Sequence, residues 1–458
     1  MKTFATPEEK RLYLTEQPVA RLILELAVPS VISMLITSFY NMADTYFVGR
    51  IGTSATAAVG VVLPLMNIIQ ALGFTFGHGS GNYISRMLGK GDVESAKKMA
   101  TVGFVSALIA GTLFALVGLL FLNGVVSLMG ATPTIAPYAR EYTRYILLGA
   151  PFMAASLVLN NQLRFQGSAF YGMIGMGLGA VLNIALDPLF IFVLDMGVAG
   201  AAIATILSQL VSFCLLLRGC TKGGNISIDL KRFKPTLASY KEILRGGAPS
   251  LCRQGLNSVA VICLNLAAGG YGDAAIAGMS IVGRVLMFAN SAVIGLGQGF
   301  QPVCGFNYGA KKYARVRKAF WFTVCLGFCV MTVFAVVGIA FAPGIVAIFR
   351  KEDAEVIEVG ARALRLQCVT FPLTAFVIGA NMMLQTMGRS VKASIAAIAR
   401  NGLFFVPAIL ILPTFLGLLG VQMSQAVADM LSVLLCIPMT FTELKEMKRQ
   451  EKILQDAE

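Results

Sequence analysis

Asp187 stands immediately before Pro188 and one helical turn after Asn183, inside an apolar run from about Tyr171 to Leu194. A run of that length crosses a bilayer as a helix. At such depth a carboxylate costs roughly 2.5–3.5 kcal/mol on insertion scales, and it marks a functional position by default. Residues four apart share a helix face, so the Asn183 amide can share a proton or a cation with Asp187. Proline lacks a backbone donor and disfavours helical geometry at the residue before it. The sequence therefore predicts a bend at the acid, a freed carbonyl near Ile184, and Pro188 as a conformational hinge. Asp44, in the first apolar run, is a second carboxylate at membrane depth.

Other polar residues in apolar runs are Arg253, Arg284 and Asp429, the last being the one deep acid of the C-terminal half. An ion pair between Asp429 and one of those two arginines is expected, with an anion-tolerant arginine surface as the alternative. His78 is the single histidine, set in Gly77-His78-Gly79-Ser80-Gly81, and is expected to pack between helices. The glycines around it lack the strand–turn–helix context of a dinucleotide loop, and close helix packing explains them better. Arg164 and Gln166 precede Gly167 and are expected to shape a loop. The nine cysteines show no metal-ligand spacing; even Cys325 and Cys329, one turn apart, are expected to pack as small hydrophobes. There is no H-E-x-x-H, no paired Cys/His set and no G-x-x-x-x-G-K-[ST] loop. These absences speak against an enzyme, an ATP-driven pump, or any resident cofactor or metal.

The elements that must hold these residues are membrane spans. The chain has 458 residues, 57% of them hydrophobic and 13% charged, where soluble domains carry about 25% charged residues. Twelve apolar runs follow one another, near 22–47, 55–84, 99–122, 136–160, 169–194, 200–217, 244–269, 275–301, 317–342, 356–384, 392–413 and 420–440. Basic clusters fall at the termini or after even-numbered runs, as the positive-inside rule places them on the cytoplasmic side. The net charge of +14 thus needs no nucleic-acid partner. The exception is Arg350-Lys351, which is offset by Glu352, Asp353, Glu355 and Glu358. Thr6-Pro7-Glu8-Glu9 has the pattern of a capping box and opens a short helix before the first span; no cleavable signal is visible.

The runs repeat. Ala27-Val28-Pro29-Ser30 recurs as Gly247-Ala248-Pro249-Ser250, and Gly52, Gly77 and Gly200 recur as Gly272, Gly297 and Gly420, each 220 positions later. Two copies of six spans are parallel repeats, which places the binding region of a transporter at their interface. The expected fold is an all-α integral membrane protein, twelve transmembrane helices in two parallel six-helix repeats around a central cleft. We divide the chain into an N-terminal lobe (1–218) with the ion site, a cytoplasmic linker (219–240), a C-terminal lobe (241–444) and a charged tail (445–458). The halves differ where charge matters: Asp44 is matched by Leu264, Asp187-Pro188 by Val406-Pro407, and Thr205 by Gln425.

With these motifs in hand, the sequence resembles the multidrug and toxic compound extrusion (MATE) family over about residues 15–445. The resemblance rests on Asn41-Met42-Ala43-Asp44-Thr45 with Val48-Gly49, on the Gly89 and Gly309 loops, and above all on Asn183 to Phe190. It implies a secondary multidrug efflux antiporter that exports amphipathic or cationic drugs and toxic organic compounds in exchange for H⁺ or Na⁺. The coupling ion would sit at Asp44, Asn183, Asp187 and Thr205: the two carboxylates can take a proton, or accept a hard cation such as Na⁺ with oxygens from Asn183 and Thr205. Asn41, Arg284 and Asp429 are secondary candidates along the cleft. One branch of the family uses an acid in span 7; Cys252 to Leu266 holds none here. The implied location is a bacterial cell membrane, multi-pass, in contact with lipid and with both termini cytoplasmic. The competing reading is a flippase for a lipid-linked precursor, which calls for a more basic cleft than Arg253 and Arg284 provide.

Overall fold

The computed structural model describes residues 4–349 and 353–456, apart from the side chains of Asn41, Met42, Thr45 and Thr53. The Asn41 side chain and Arg350-Lys351-Glu352 thus lie outside the described residues. Among the described residues all regular structure is helical. A short α1 (Pro7–Glu16) is followed by α2 (Val19–Gly49), α3 (Thr53–Lys90), α4 (Val93–Leu120), α5 (Leu122–Leu128), α6 (Ala136–Phe165), α7 (Ala169–Pro188) and α8 (Gly197–Gly219). The second series is α9 (Leu237–Gly269), α10 (Asp273–Gly309), α11 (Tyr313–Ala340), α12 (Ala342–Phe349), α13 (Ala354–Thr370), α14 (Thr374–Thr386), α15 (Ser390–Ile398), α16 (Phe405–Leu416) and α17 (Leu418–Gln455). Twelve helical segments are long and apolar enough to cross a membrane. The protein is an all-helical, multi-pass membrane protein.

Three of those segments, the fifth, the tenth and the eleventh, are not single α-helices. The tenth is split into α13 and α14 by the 3₁₀ turn Phe371–Leu373, because Pro372 supplies no backbone donor. The eleventh passes through a π-helical stretch, Ala399–Leu403, before α16. Residues 445–455 continue α17, where Glu451 pairs with Arg317 at 2.6 Å.

The repeat is visible in the backbone. Gly167 and Gly388 have φ of 76° and 81°, and Gly197 and Gly417 have 54° and 58°. These are left-handed conformations that glycine adopts without a Cβ clash. Gly200 and Gly420 meet the preceding segment in the same way: a Cβ on Gly200 would lie 2.7 Å from the Phe190 carbonyl oxygen, and one on Gly420 would strike the Leu412 carbonyl.

The chain forms two compact units. The first contains residues 1–16 and 28–247, the second residues 17–27 and 248–458. Each has its own apolar core. In the first, Val62, Leu65 and Ile69 of α3 pack with Ile146, Leu147 and Ala150 of α6. In the second, Val282, Leu286 and Val293 of α10 pack with Leu364, Phe371 and Ile409. The unit boundaries fall at equivalent places in the two repeats, after Ala27 in α2 and after Gly247 in α9, each two residues before the repeated proline (Pro29 and Pro249).

At its N-terminus α1 is tied down as the capping pattern predicts. Glu9 N–H donates to Thr6 Oγ1 at 3.2 Å, while the Glu9 carboxylate reaches back to the Ala5 N–H at 2.9 Å. Cys325 and Cys329 depart from expectation: both are exposed on α11. A thiol is apolar enough to face lipid, so helical spacing alone did not fix which side of the span they occupy.

Candidate coupling site

The site lies wholly in the first unit, on α2, α6, α7 and α8. Asp187 is fully buried, and Asn183 and Thr205 are each 1% exposed. Asn183 and Asp187 are neighbours along one face of α7, as their spacing requires. With the amide oriented to satisfy both of its ends, Asn183 Nδ2 donates to Asp187 Oδ2 at 2.9 Å and its oxygen accepts from the Thr205 backbone N–H at 3.2 Å. Thr205 Oγ1 in turn donates to the Ala201 carbonyl at 3.0 Å, which ties the hydroxyl to its own helix. One amide thus links α7 to α8.

Asp44 enters from α2, close enough that its charge acts on Asp187. Two carboxylates sharing a poorly solvated site cannot both be ionised without cost. One oxygen of each, Asp44 Oδ1 and Asp187 Oδ1, is buried with no hydrogen-bond partner. A buried acceptor left unmade carries a penalty of about 1–3 kcal/mol. A proton or a hard cation would relieve it.

Two tyrosines complete the surroundings. Tyr40 lies one turn before Asp44 on α2, beside the Thr205 side chain and within electrostatic reach of both acids. Tyr142 of α6 is buried at 1% exposure and senses Asp44, Tyr40 and Asp187. The four-residue step from Tyr40 to Asp44 was available as a signal. Tyr142 carries no motif and emerges from tertiary packing alone.

The α7 terminus differs from the predicted bend at the acid. The α-helix runs through Asp187 to Pro188, whose φ of −63° suits a helix, and widens only afterwards into a π-helix over Leu189–Val193. The Leu194 N–H bonds the Leu189 carbonyl, five residues back, at 2.9 Å. The wide turn lies after the acid, and the helix is not broken at it. Single π turns of this kind recur at functional sites.

The remaining candidates are not brought to this site. Asp429 pairs with Arg400, not with Arg253 or Arg284: Arg400 Nε donates to Asp429 Oδ1 at 2.7 Å, and Gln425 Nε2 donates to the same oxygen at 2.9 Å. Arg400 sits in the π-helical stretch, whose wider turn re-aims its side chain toward α17. Arg284 is exposed on α10. His78 packs as expected, stacked on Phe74 at 5.3 Å between ring centroids and 3.1 Å from Arg164 Nη2. Among the described residues no cluster of three or more His, Cys, Asp or Glu side chains has metal-binding geometry.

The sequence profile of the MatE family matches residues 29–189 and, a second time, residues 249–410. Both matches begin at the repeated prolines, and together they cover more than half of the chain. The chain belongs to the MatE family. This MatE protein is 29% identical over 432 residues to the multidrug export protein MepA of Staphylococcus haemolyticus (strain JCSC1435), spanning 92% of this chain and 93% of that one. It is 28% identical over 438 residues to the MepA of Staphylococcus aureus (strain MSSA476), spanning 93% and 94%. Its fold is similar to that of a multidrug resistance MATE family transporter of the MOP superfamily in its outward-facing conformation. The TM-score is 0.91 at 29% identity, over 98% of this chain and all of that one.

Proposed function

We propose that this MatE protein is a secondary active exporter of amphipathic and cationic small molecules, driven by H⁺ or Na⁺ taken up at Asp44 and Asp187. The observation that carries this reading is the pair of carboxylates in one unit, Asp187 fully buried and Asp44 half-buried, each with a buried oxygen lacking a partner. Asn183, Thr205 and Tyr40 supply further oxygens around them, so the same group of side chains suits a shared proton or a sodium ion. Export against a gradient requires that ion uptake favour one conformation of the unit over another. Moving two states from 1:99 to 99:1 takes roughly 5.5 kcal/mol of discrimination. That is a large demand on a single acid, and Asp44 and Asp187 share it.

In this reading Pro188 and the π turn behind it form the hinge through which the state of Asp187 reaches the rest of α7. The lobes are residues 1–218 and 241–444, joined by the linker 219–240, with coupling confined to the first lobe. Both termini lie in the cytoplasm of a bacterial cell in this reading, which the short basic loops support. The relatives named above are export proteins, and the intramembrane acids favour that activity over a lipid-precursor flippase.

Dye export from proteoliposomes with proton and sodium gradients imposed one at a time tests the reading and identifies the ion. Export that follows neither gradient would overturn it. Single cysteines at Ser54 and Lys312 should label from opposite sides of the membrane; labelling from one side would overturn the topology.

A further inference from the structure

Arg253 occupies the centre of α9, sixteen residues from either end, or about 24 Å of helix rise. In the first repeat the same position is Ser33. A guanidinium at that depth is costly and calls for a reason. Among the described residues no carboxylate lies within ion-pair distance of it. Its one described partner is the neutral Asn381 Oδ1, at 3.5 Å from Nη1. That amide is aimed by its own bond, Nδ2 to the Ala393 carbonyl at 2.7 Å. A guanidinium carries five N–H donors, so most of its capacity is left for something else.

The polar groups that helix spacing sets beside Arg253 are amides. One turn along α9, the exposed Asn257 accepts from Asn401 Nδ2 at 3.3 Å. Gly402 lets the chain pass close to α9, since a Cβ there would lie 2.8 Å from Leu256. Beside Asn401, the Arg400 charge is neutralised by Asp429, which is 2% exposed. Asp429 is therefore committed to Arg400, and the Arg253 charge stays uncompensated. The face formed by Arg253, Asn257 and Asn401 thus carries one net positive charge flanked by amides.

We propose that this face of the second unit is a subsite for the carboxylate of an amphiphilic substrate, so that organic acids and zwitterions are exported as well as cations. A planar guanidinium fork matches a planar carboxylate in a bidentate manner, and the Asn257 and Asn401 amides supply neutral partners beside it. A single uncompensated charge suits a monoanion and not a pyrophosphate. This inference rests on the exporter reading and refines its substrate class.

Tetramethylrhodamine, a zwitterion, and its methyl ester, a cation, differ only in the carboxylate. The purified full-length protein is reconstituted in proteoliposomes, and export of each dye is measured under the driving gradient. In the wild type both dyes are exported. In Arg253→Gln the ratio of ester to acid export is expected to rise about tenfold or more, the effect of losing a charge-assisted hydrogen bond. If Arg253→Gln does not accumulate in membranes, Arg253→Lys decides. It keeps the charge but loses the fork, and the ratio should rise severalfold. A ratio equal to that of wild type in the variant that folds overturns the subsite, as does a wild type that exports the ester alone. In both of those cases ester export leaves the exporter reading standing. If neither dye moves under any gradient, the exporter reading falls and the subsite with it.

Discussion

Asn183 bridges two helices through one amide, its nitrogen 2.9 Å from Asp187 Oδ2 and its oxygen 3.2 Å from the Thr205 backbone N–H. The acid is held by a group that can donate but carries no charge, so the coupled ion, and not a fixed cation, decides the charge of the site. Replacing Asp187 or Asp44 by Asn leaves the shape and removes the ion's target. Each variant is expected to lose gradient-driven export at least about tenfold while still binding substrate. Export in proteoliposomes and dye binding to the purified protein separate the two effects. An Asp187→Asn protein that exports as well as wild type would show that coupling lies elsewhere.

Asn183→Leu strips the donor from Asp187 while filling the same volume. We expect the apparent affinity for the coupling ion to shift by about tenfold, since a hydrogen bond to a charged group is worth about 1.5–3 kcal/mol. Titrating export against sodium at fixed pH, and against pH without sodium, reads that shift. No change in either titration would mean that Asn183 serves only to join α7 to α8.

Arg400 and Asp429 form a different kind of pair, one that is satisfied. Removing one member strands the other, at an expected cost of about 3–5 kcal/mol for a buried pair. Asp429→Asn and Arg400→Met should each lower the melting temperature in detergent, and Asp429→Leu combined with Arg400→Met should recover much of it. Coupling should persist wherever the protein folds. Losses that simply add in the double variant would exclude a direct pairing contribution.

Lys10 gives a pH signature outside the membrane. It is 2% exposed, and its Nζ donates to Ser168 Oγ at 2.7 Å and to Asn225 Oδ1 at 2.5 Å. Burial pulls its pKa from 10.5 down to about 7, with Cys220 opposing the shift. Between those values the unfolded chain binds a proton that the folded chain does not. Stability from this group therefore rises with pH from about 7 to 10.5 and is flat below 7. Lys10→Met removes the titration, so its melting temperature relative to wild type should be highest near pH 7 and fall as the pH rises. A constant difference across that range would mean that water reaches Lys10.

Gly79 and Gly299 are repeat partners whose added Cβ atoms would strike the backbone, at Ile243 and Ala27 respectively, whereas nothing lies within 4 Å of a Cβ on Gly60. Gly79→Ala and Gly299→Ala should each cost about 1–3 kcal/mol. Gly60→Ala should be neutral or stabilising by up to about 1 kcal/mol. Thermal melting of the three variants distinguishes close packing from a general dislike of alanine in these spans.

The twelve spans and the Asn183–Asp187 pair could be read from the sequence because each depends on a local period or on composition. The partner of Asp429 could not. Arg400 lies 29 positions away, on another segment, and reaches Asp429 from a π-helical turn that hydropathy does not register. Tyr142 joins the site through helix packing, which no spacing announces. The bend expected at Pro188 is a wide turn that begins after it, a position that depends on how the next five residues hydrogen-bond. Cys325 and Cys329 show the limit of inference from residue type, since lipid and protein interior are both apolar surroundings.

The two compact units exchange short pieces of chain: residues 17–27 belong to the second, and residues up to 247 to the first. A ribosome delivers the chain in order, and domains commonly fold as they emerge. Here the first unit lacks its last component until residue 247 has been made, well past the sixth span, and residues 17–27 wait for helices that come later still. Each half therefore spends synthesis incomplete. Cutting the chain between residues 219 and 236 should give fragments that assemble when co-expressed, while either fragment alone would expose a face meant for the missing piece and be cleared by proteolysis.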